Sequence, residues 1–485
     1  MNNDILKNYI NGRSCEILGL GVSNLPLAEA LADMGVRLTV RDKKSPAELG
    51  ARALSLQERG VEFIWGENSF DECGADVIFR SPGIRPDRGG LAAAVDRGAE
   101  LTSEMELFLS LTEAETFAVT GSDGKTTTTT LCGEFLSAEA RRRGLGKVFV
   151  GGNIGEPLLY KADSITAHDR AVMELSSFQL MTVKKAPMYA AITNISPNHL
   201  DWHRGMDEYK TAKLNIVGKN TKRLVTNARC SDTLKLAREL CEKSERPDIY
   251  LFSSDAHSFD EVFDFPASPR DRAFFIKNGY VVISDGKTEE PLLDISKINV
   301  PGKHNEENFM TAIALTYGSV SPSVYSEVAE SFFGVRHRLE LVRTLDGVDF
   351  YNSSIDSSPS RTAAALSALS GRDIVIICGG YDKNIPYEPL ASALCQCVRA
   401  VVLTGATGKK IEAALLGCKA YKQGAPEYVY TPDFEEAVRL ARSMSKRGGC
   451  VLLSPASASF DAFPNFAVRG DCFRDIVNSF NETEN

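Results

Sequence analysis

The sequence predicts an α/β protein built on mostly parallel sheets. Short apolar runs alternate with segments of helical periodicity along the chain, and many of those runs end in glycine-rich or polar turns, as strands that feed helices do. Length adds a third observation. At about 150 residues per domain, 485 residues imply two or three domains, each able to bury its own core.

The elements follow in order. Residues 15–18 are apolar, Gly19-Leu20-Gly21 turns the chain, and 24–34 carries Leu27, Ala28, Leu31 and Met34 at helical spacing. A strand over 37–40 leads to Asp42, and one over 77–79 runs into Ser81-Pro82-Gly83. The polar stretch near 112–115 reads as a linker. A second segment opens with a strand over 116–120, a glycine-rich loop and a helix; runs at 171–173 and 190–193 end at Glu174 and Asn194. Lys277-Asn278-Gly279, inside the apolar stretch 273–284, predicts a hairpin in a small antiparallel insertion before a helix over 305–317. From about Gly334 the alternation resumes, with strands at 348–351, 374–378, 400–403 and 450–453 and helices at 360–369, near 390–394 and near 409–416.

Composition narrows the function classes. Hydrophobic residues at 43% and charged residues at 25% exclude a disordered or fibrous chain. A net charge of −9 argues against broad nucleic-acid binding, and leaves small anions to local dipoles and a few lysines and arginines. Eleven cysteines without a CxxC pair point to free thiols in a reducing compartment. The N-terminal stretch lacks the apolar core of a signal peptide, and no apolar run reaches the ~18–20 residues of a membrane span. The expectation is a cytoplasmic protein with no nucleic-acid partner and no membrane insertion.

The strongest chemical signal is Thr120-Gly121-Ser122-Asp123-Gly124-Lys125-Thr126-Thr127, between a strand and a helix. Backbone N–H groups there can wrap an anion, Lys125 can reach β- and γ-phosphates, and the Thr126 hydroxyl can bind Mg²⁺. The spacing is shorter than GxxxxGK[ST], because Val119 stands where that motif has its first glycine. The alternative is a glycine-rich turn with a solvated lysine. Glu174, at a strand end, suits Mg²⁺ as a hard oxygen ligand, or else caps a helix. His199 and His203 have the i, i+4 spacing of a zinc pair but lack the glutamate of HExxH and a third ligand. Lys213 lies on a helix expected over 207–217, where a lone lysine reads as a solvated face residue. Gly19-Leu20-Gly21-Val22-Ser23-Asn24, with Asp42 about twenty residues on, is similar to a dinucleotide fingerprint without its third glycine. A phosphate-bearing nucleotide near that turn fits better than NAD. Gly379-Gly380-Tyr381-Asp382-Lys383 and Ser454-Pro455-Ala456-Ser457-Ala458-Ser459-Phe460-Asp461 follow strands, where ligands bind in parallel sheets, although each alone reads as an ordinary turn.

Taken together, these stretches resemble the Mur ligase family. The phosphate loop, Glu174-Leu175-Ser176-Ser177-Phe178-Gln179, Asn198-His199-Leu200-Asp201, Gly302-Lys303-His304-Asn305, His337-Arg338 and Gly379-Gly380-Tyr381-Asp382-Lys383 fall in family order from about Leu18 to Gly470. The likeness is strongest to members that join D-glutamate to UDP-N-acetylmuramoyl-L-alanine. It rests there on Ser81-Pro82-Gly83-Ile84, Ser103-Glu104-Met105-Glu106-Leu107-Phe108, Gly151-Gly152-Asn153-Ile154-Gly155 and Leu453-Ser454-Pro455-Ala456-Ser457-Ala458-Ser459. A folate-extending ligase would lack the long segment ahead of the phosphate loop, and a regulator that had lost catalysis would not need Lys125, Glu174, His199 and Lys213 together.

The resemblance implies three domains: a Rossmann-like UDP-substrate domain over 1–112, a central P-loop-type ATPase over 113–334, and a Rossmann-like amino-acid domain over 335–485. It implies a monomer that uses ATP to make an acyl phosphate, which the amine of D-glutamate then attacks. By the same resemblance Gly121, Ser122, Asp123, Gly124, Lys125, Thr126, Thr127, Asn305 and Arg338 contact ATP. Thr126, Glu174, His199 and Lys213 hold two Mg²⁺ ions, Lys213 as a CO₂-derived carbamate. Lys125, His199 and Lys213 are the catalytic set. Val22, Ser23, Asp42, Lys43, Gly83 and Asn153 match the UDP-substrate contacts; Ser357, Lys383, Ser459, Phe460 and Phe466 match the D-glutamate pocket. The chain departs from the family at Ser353, where an Asp is expected near the ribose, and at Ile355, where a Lys is expected; Lys43 and Lys44 stand where the family varies.

Overall fold

The computed structural model describes residues 4–21, 23–200, 202–383, 385–422 and 424–481. The chain divides into two compact units, Met1–Lys297 with Glu306–Val328, and Ile298–Asn305 with Ala329–Asn485. The α/β class expected from the alternation holds throughout.

The first unit carries two sheets. Strands β1 (Cys15–Leu18), β2 (Leu38–Asp42), β3 (Glu62–Trp65), β4 (Val77–Arg80) and β5 (Glu100–Thr102) form a five-stranded sheet in the order β3-β2-β1-β4-β5. All its pairings are parallel, so the order reverses between β1 and β4 and opens a crevice at their carboxyl ends. β1 and β4 are buried on both faces, and each carries one buried charged residue, Glu16 and Arg80, among apolar ones.

The second sheet contains β6 (Glu115–Thr120), β7 (Val148–Gly152), β8 (Arg170–Glu174), β9 (Tyr189–Ile192), β10 (Arg223–Asn227), β11 (Asp248–Ser253), β12 (Arg272–Lys277), β13 (Tyr280–Ser284) and β14 (Glu289–Asp294). Its order is β14-β13-β12-β11-β10-β9-β6-β8-β7. The expected hairpin is present: Asn278 and Gly279 both have positive φ (53° and 79°), which a two-residue turn matched to strand twist demands. It is not a separate insertion, because β12 pairs in parallel with β11 and extends the main sheet. The polar linker proves to be the short turn between the helix Glu104–Leu111 and β6.

The second unit carries β15 (Glu340–Leu345), β16 (Val348–Asn352), β17 (Ile374–Gly379), β18 (Ala400–Thr404), β19 (Glu427–Tyr430) and β20 (Cys450–Leu453), in the order β15-β16-β20-β17-β18-β19. Only the β15–β16 edge pairing is antiparallel. All eleven cysteines are free thiols, as their spacing implied. Among the described residues no helix is long and apolar enough to cross a membrane.

Buried polar groups tie the two sheets of the first unit together. Arg80, at the end of β4, is fully buried and donates to the carbonyls of Pro82 (3.0 Å), Ile84 (2.6 Å) and Phe178 (2.9 Å). Glu104 is buried at the start of its helix and accepts the Leu159 N–H (2.8 Å). Burial pushes its carboxyl up to about 7, although two backbone N–H groups favour the charged form. An acid whose folded pKa exceeds its unfolded value binds a proton on folding, so its contribution to stability declines as pH rises from about 4.5 to about 7. Unfolding by urea between about pH 5 and pH 8 should therefore show a decline in Glu104→Gln that is shallower than in the wild type by ~2 kcal/mol. Equal slopes would mean that Glu104 is charged in the folded protein.

Candidate active site

The phosphate loop leaves β6 and enters the helix Lys125–Arg143, whose first turn has no acidic residue and no side-chain cap. The positive end of the helix dipole is thus not answered by an acidic side chain of its own first turn and favours an anion there. The loop is pinned from the next strand end: Thr193 Oγ1 donates to the Asp123 carbonyl (2.5 Å), Asn194 Oδ1 accepts the Asp123 N–H (3.0 Å), and the Asn194 carbonyl accepts the Ser122 N–H (3.0 Å). Such pinning brings the backbone close. Gly121 has φ +147°, and a Cβ there would lie 1.9 Å from Thr193 Oγ1.

Two lysine amino groups meet at this glycine. Lys125 Nζ donates to the carbonyls of Gly121 (2.9 Å) and Ser122 (2.8 Å), and Lys213 Nζ donates to the same Gly121 carbonyl (2.7 Å). Lys213 is no solvated lysine: it is 2% exposed and lies 4.6 Å from the Tyr209 ring centre. Burial, helped by the nearby Lys125 charge, pulls its pKa down to about 7. Its helix runs Met206–Leu214 and stops short of the expected Val217, because the Asn215 side chain turns to the Leu180 carbonyl (3.0 Å) and Thr221 Oγ1 accepts the Gly218 N–H (3.0 Å). Tyr209, on the same helix, hydrogen-bonds Ser122 Oγ through its hydroxyl (2.8 Å).

Glu174 ends β8 and is buried. Its Oε1 accepts from Asn153 Nδ2 (2.8 Å), while Oε2 is buried without a hydrogen-bond partner. A buried carboxylate oxygen with no donor is poised for a cation. Among the described residues no three His, Cys, Asp or Glu side chains converge on a metal position. The candidate set Thr126, Glu174, His199 and Lys213 includes only two such side chains. Thr126 is half-buried in the first turn of the helix; His199 is exposed, with positive φ (53°), its ring 5.0 Å from Phe178. His203 is buried, its ring nitrogens held by Ser177 Oγ (2.9 Å) and Glu208 Oε2 (3.2 Å), so it is not half of a zinc pair with His199.

A cavity of about 710 Å³ opens at the β1/β4 crevice and is lined in part by Gly19, Asp42, Lys43, Gly83, Arg88 and Arg204. Asp42 fixes the turn by accepting the Leu20 N–H (2.8 Å). Ser23, at the start of the helix Asn24–Asp33, and Asn153, against Glu174, are not among its lining residues. Val22 lies outside the described residues.

In the second unit, loops at the carboxyl ends of β16, β17 and β20 meet around Arg469, which is buried and donates to the carbonyls of Ser354 (2.8 Å), Ser457 (3.2 Å) and Ala458 (3.0 Å). Ser357, Lys383 and Ser459 lie on these loops, Lys383 exposed and Ser459 buried. Phe460 is 63% exposed beside Tyr381, and Phe466 stands near His337. Arg338 follows His337, and Asn305 is in the first turn of the helix Lys303–Thr316, donating to the Pro301 carbonyl (2.6 Å). Ser353 accepts the Leu339 N–H (3.1 Å); the nearby acid is Asp356, buried and bonded to Ser454 Oγ (2.9 Å), its pKa raised by burial.

Residues 119–316 match the family model of the Mur ligase middle domain, and residues 337–457 that of the Mur ligase glutamate ligase domain. The UDP-N-acetylmuramoylalanine--D-glutamate ligase of Ruminiclostridium cellulolyticum is 41% identical over 489 residues, covering 99% of this chain and 100% of that protein. The protein of the same name from Clostridium beijerinckii is 41% identical over 475 residues, with 98% of each chain covered. The chain belongs to the Mur ligase family. Solved structures agree on the fold: the UDP-N-acetylmuramate-alanine ligase of Thermotoga maritima superposes with a TM-score of 0.53 at 19% identity, over 96% of this chain and 99% of that one. A UDP-N-acetylmuramoyl-L-alanyl-D-glutamate--2,6-diaminopimelate ligase gives 0.55 at 16% identity, over 84% and 93%.

Within this Mur ligase the sequence reading missed Tyr209, Thr193, Asn194, Glu208 and Arg469. Tyr209 had a signal, since it precedes Lys213 by one helical turn and shares its face. Arg469 had none, because buried arginines are rare and its partners here are three backbone carbonyls and the Ser354 hydroxyl, all at least 11 residues away in sequence. The pinned loop yields a prediction. Gly121→Ala should weaken binding of a non-hydrolysable ATP analogue at least ~10-fold in calorimetry, because its φ and close approach both exclude a Cβ. Wild-type affinity would show that the loop is free to shift.

Proposed function

We propose that this chain is an ATP-dependent amide-forming ligase that adds D-glutamate to UDP-N-acetylmuramoyl-L-alanine in cytoplasmic peptidoglycan precursor synthesis. The observation that carries the reading is 41% identity, over 99% of this chain, to a relative of that name. Paired lysines at a phosphate loop support it chemically. The division into domains over 1–112, 113–334 and 335–485 is part of the same proposal, and the three sheets support it.

A carboxylate reacts poorly with an amine because oxide is a poor leaving group. In the proposed reaction a carboxylate oxygen of the muramoyl-L-alanine attacks the γ-phosphorus of ATP, and ADP leaves. The neutral amine of D-glutamate then attacks the acyl carbon; phosphate departs with that oxygen, and the amine nitrogen loses a proton. The protein's share is positioning and charge neutralisation. Residues 121–127 and the helix N-terminus hold the phosphates, with Lys125 set against their charge. Asn305 and Arg338 hold the rest of the nucleotide. Asp42, Lys43 and Gly83, with Val22, Ser23 and Asn153, serve the UDP substrate; Ser357, Lys383, Ser459, Phe460 and Phe466 serve D-glutamate.

The residues fit Mg²⁺ at Glu174: a buried, unpartnered carboxylate oxygen and the Thr126 hydroxyl are hard oxygen donors. When bound, Mg²⁺ would offset charge on the phosphate oxygens. His199 is the candidate for a second ion. Lys213 as an ammonium is no metal ligand, but its buried amine is partly neutral near pH 7. A neutral amine adds CO₂ through a new N–C bond and releases one proton, leaving an anionic oxygen donor.

Phosphate release from ATP should require Mg²⁺, UDP-N-acetylmuramoyl-L-alanine and D-glutamate together, and turnover with L-glutamate instead of D-glutamate would contradict the specificity. Lys213→Arg keeps the charge but cannot form the carbamate, so kcat should fall by ~10²-fold or more. Lys213→Glu should retain more activity than Lys213→Arg. Near-wild-type Lys213→Arg would remove the carbamate.

A further inference from the structure

One short helix touches two places that the proposed chemistry keeps apart. Lys213 near its C-terminal end and Tyr209 at its middle bond to Gly121 and Ser122 of the phosphate loop (2.7 and 2.8 Å). At its N-terminal end Glu208 accepts two hydrogen bonds from the Arg85 guanidinium, Nη2 to Oε1 (2.8 Å) and Nη1 to Oε2 (3.0 Å). Arg85 lines the 710 Å³ cavity of the first sheet. The same guanidinium donates to the Trp202 carbonyl (2.8 Å), and the Trp202 indole N–H donates to the Gly83 carbonyl (2.9 Å). Glu208 also accepts the Arg204 N–H (2.8 Å) and meets His203, whose other ring nitrogen meets Ser177 on the segment after Glu174.

We propose that Glu208 is a positioning residue that links the cavity beside the first sheet to the phosphate loop, through its two-point bond to Arg85 and the helix it shares with Tyr209 and Lys213. A paired guanidinium–carboxylate contact fixes orientation as well as distance, and a helix transmits displacement with little bending. A ligand that touches Arg85 from the cavity bears on Glu208 and on Asp87, which accepts two further bonds from the same guanidinium (both 2.9 Å), and Glu208 shares its helix with Tyr209 and Lys213. Glu208 itself lines neither the cavity nor the loop. This inference rests on the proposed function for the identity of the two ligands.

The test uses the full chain, UDP-N-acetylmuramoyl-L-alanine and a non-hydrolysable ATP analogue. Affinity for each is measured alone and in the presence of the other; the ratio is the coupling between the sites. In the wild type the UDP ligand should tighten the analogue at least ~5-fold. In Glu208→Gln each affinity measured alone should stay within about twofold, while the coupling ratio falls towards one, kcat drops ~10-fold and each KM, taken with the other ligand saturating, rises by about the coupling lost, ~5-fold. A merely structural loss would instead lower the melting temperature and weaken both ligands. Arg85→Lys, which keeps charge but loses the fork, should give an intermediate coupling ratio and carries the test if Glu208→Gln does not fold. Full coupling in either variant overturns the proposal, as does a wild type that binds both ligands without coupling. A wild type that does not bind the UDP ligand overturns the proposed function instead.

Discussion

Two lysine amino groups bonded to one peptide oxygen form the contact on which the rest of the site depends. Lys125 and Lys213 both donate to the Gly121 carbonyl, 2.9 and 2.7 Å away. One lysine comes from the loop's own helix and the other from a helix almost ninety residues later in the chain, and burial makes their mutual repulsion costly. Burial is the larger reason that the Lys213 amine sits near 7, and that repulsion adds to it. An arrangement of this kind is stable only where other charge answers it. Asp123 and Glu174 do so in part, and a polyphosphate at the helix N-terminus would complete the balance. The geometry also explains the glycine. The carbonyl can face both lysines only if the backbone passes within contact of Thr193, which leaves no room for a Cβ.

Around that contact the molecule spends buried polar groups on fixing loops. In the first unit Arg80 binds the turn after β4 to the segment at Phe178, and Thr193 and Asn194 clamp the phosphate loop from the end of β9. In the second unit Arg469 gathers the loops after β16 and β20 through three carbonyls. Each arginine is desolvated, which pulls its pKa down to about 10 and still leaves it charged. A charged donor bonded mainly to backbone oxygens, with one hydroxyl each from Thr182 and Ser354, fixes loop shape without offering an acid to titrate.

Much of the fold was legible because βα units write themselves in period and punctuation. The apolar runs ending at Glu174, Asn194 and Gly379 are strands, and the Asn-Gly turn is a hairpin. The β15 edge strand escaped notice because Glu340–Leu345 mixes charge with apolar residues, as an edge allows. At the site, the phosphate loop and Glu174 could be read from their place after strands. The burial of Lys213 could not: its helix carries Asp207, Glu208 and Lys210 around it and looks solvated, and only the tertiary contact with Gly121 reveals the amine as interior. The buried contact of Asp356 was invisible for a similar reason, since its relation to Ser454 spans 98 residues of sequence.

The central claim is that phosphate leaves carrying an oxygen that began on the muramoyl-L-alanine carboxylate. UDP-N-acetylmuramoyl-L-alanine labelled with ¹⁸O in both carboxylate oxygens should therefore yield, on complete turnover with ATP and D-glutamate, inorganic phosphate bearing one ¹⁸O per molecule and an amide bearing the other. Phosphate without label, formed together with the amide, would contradict the account.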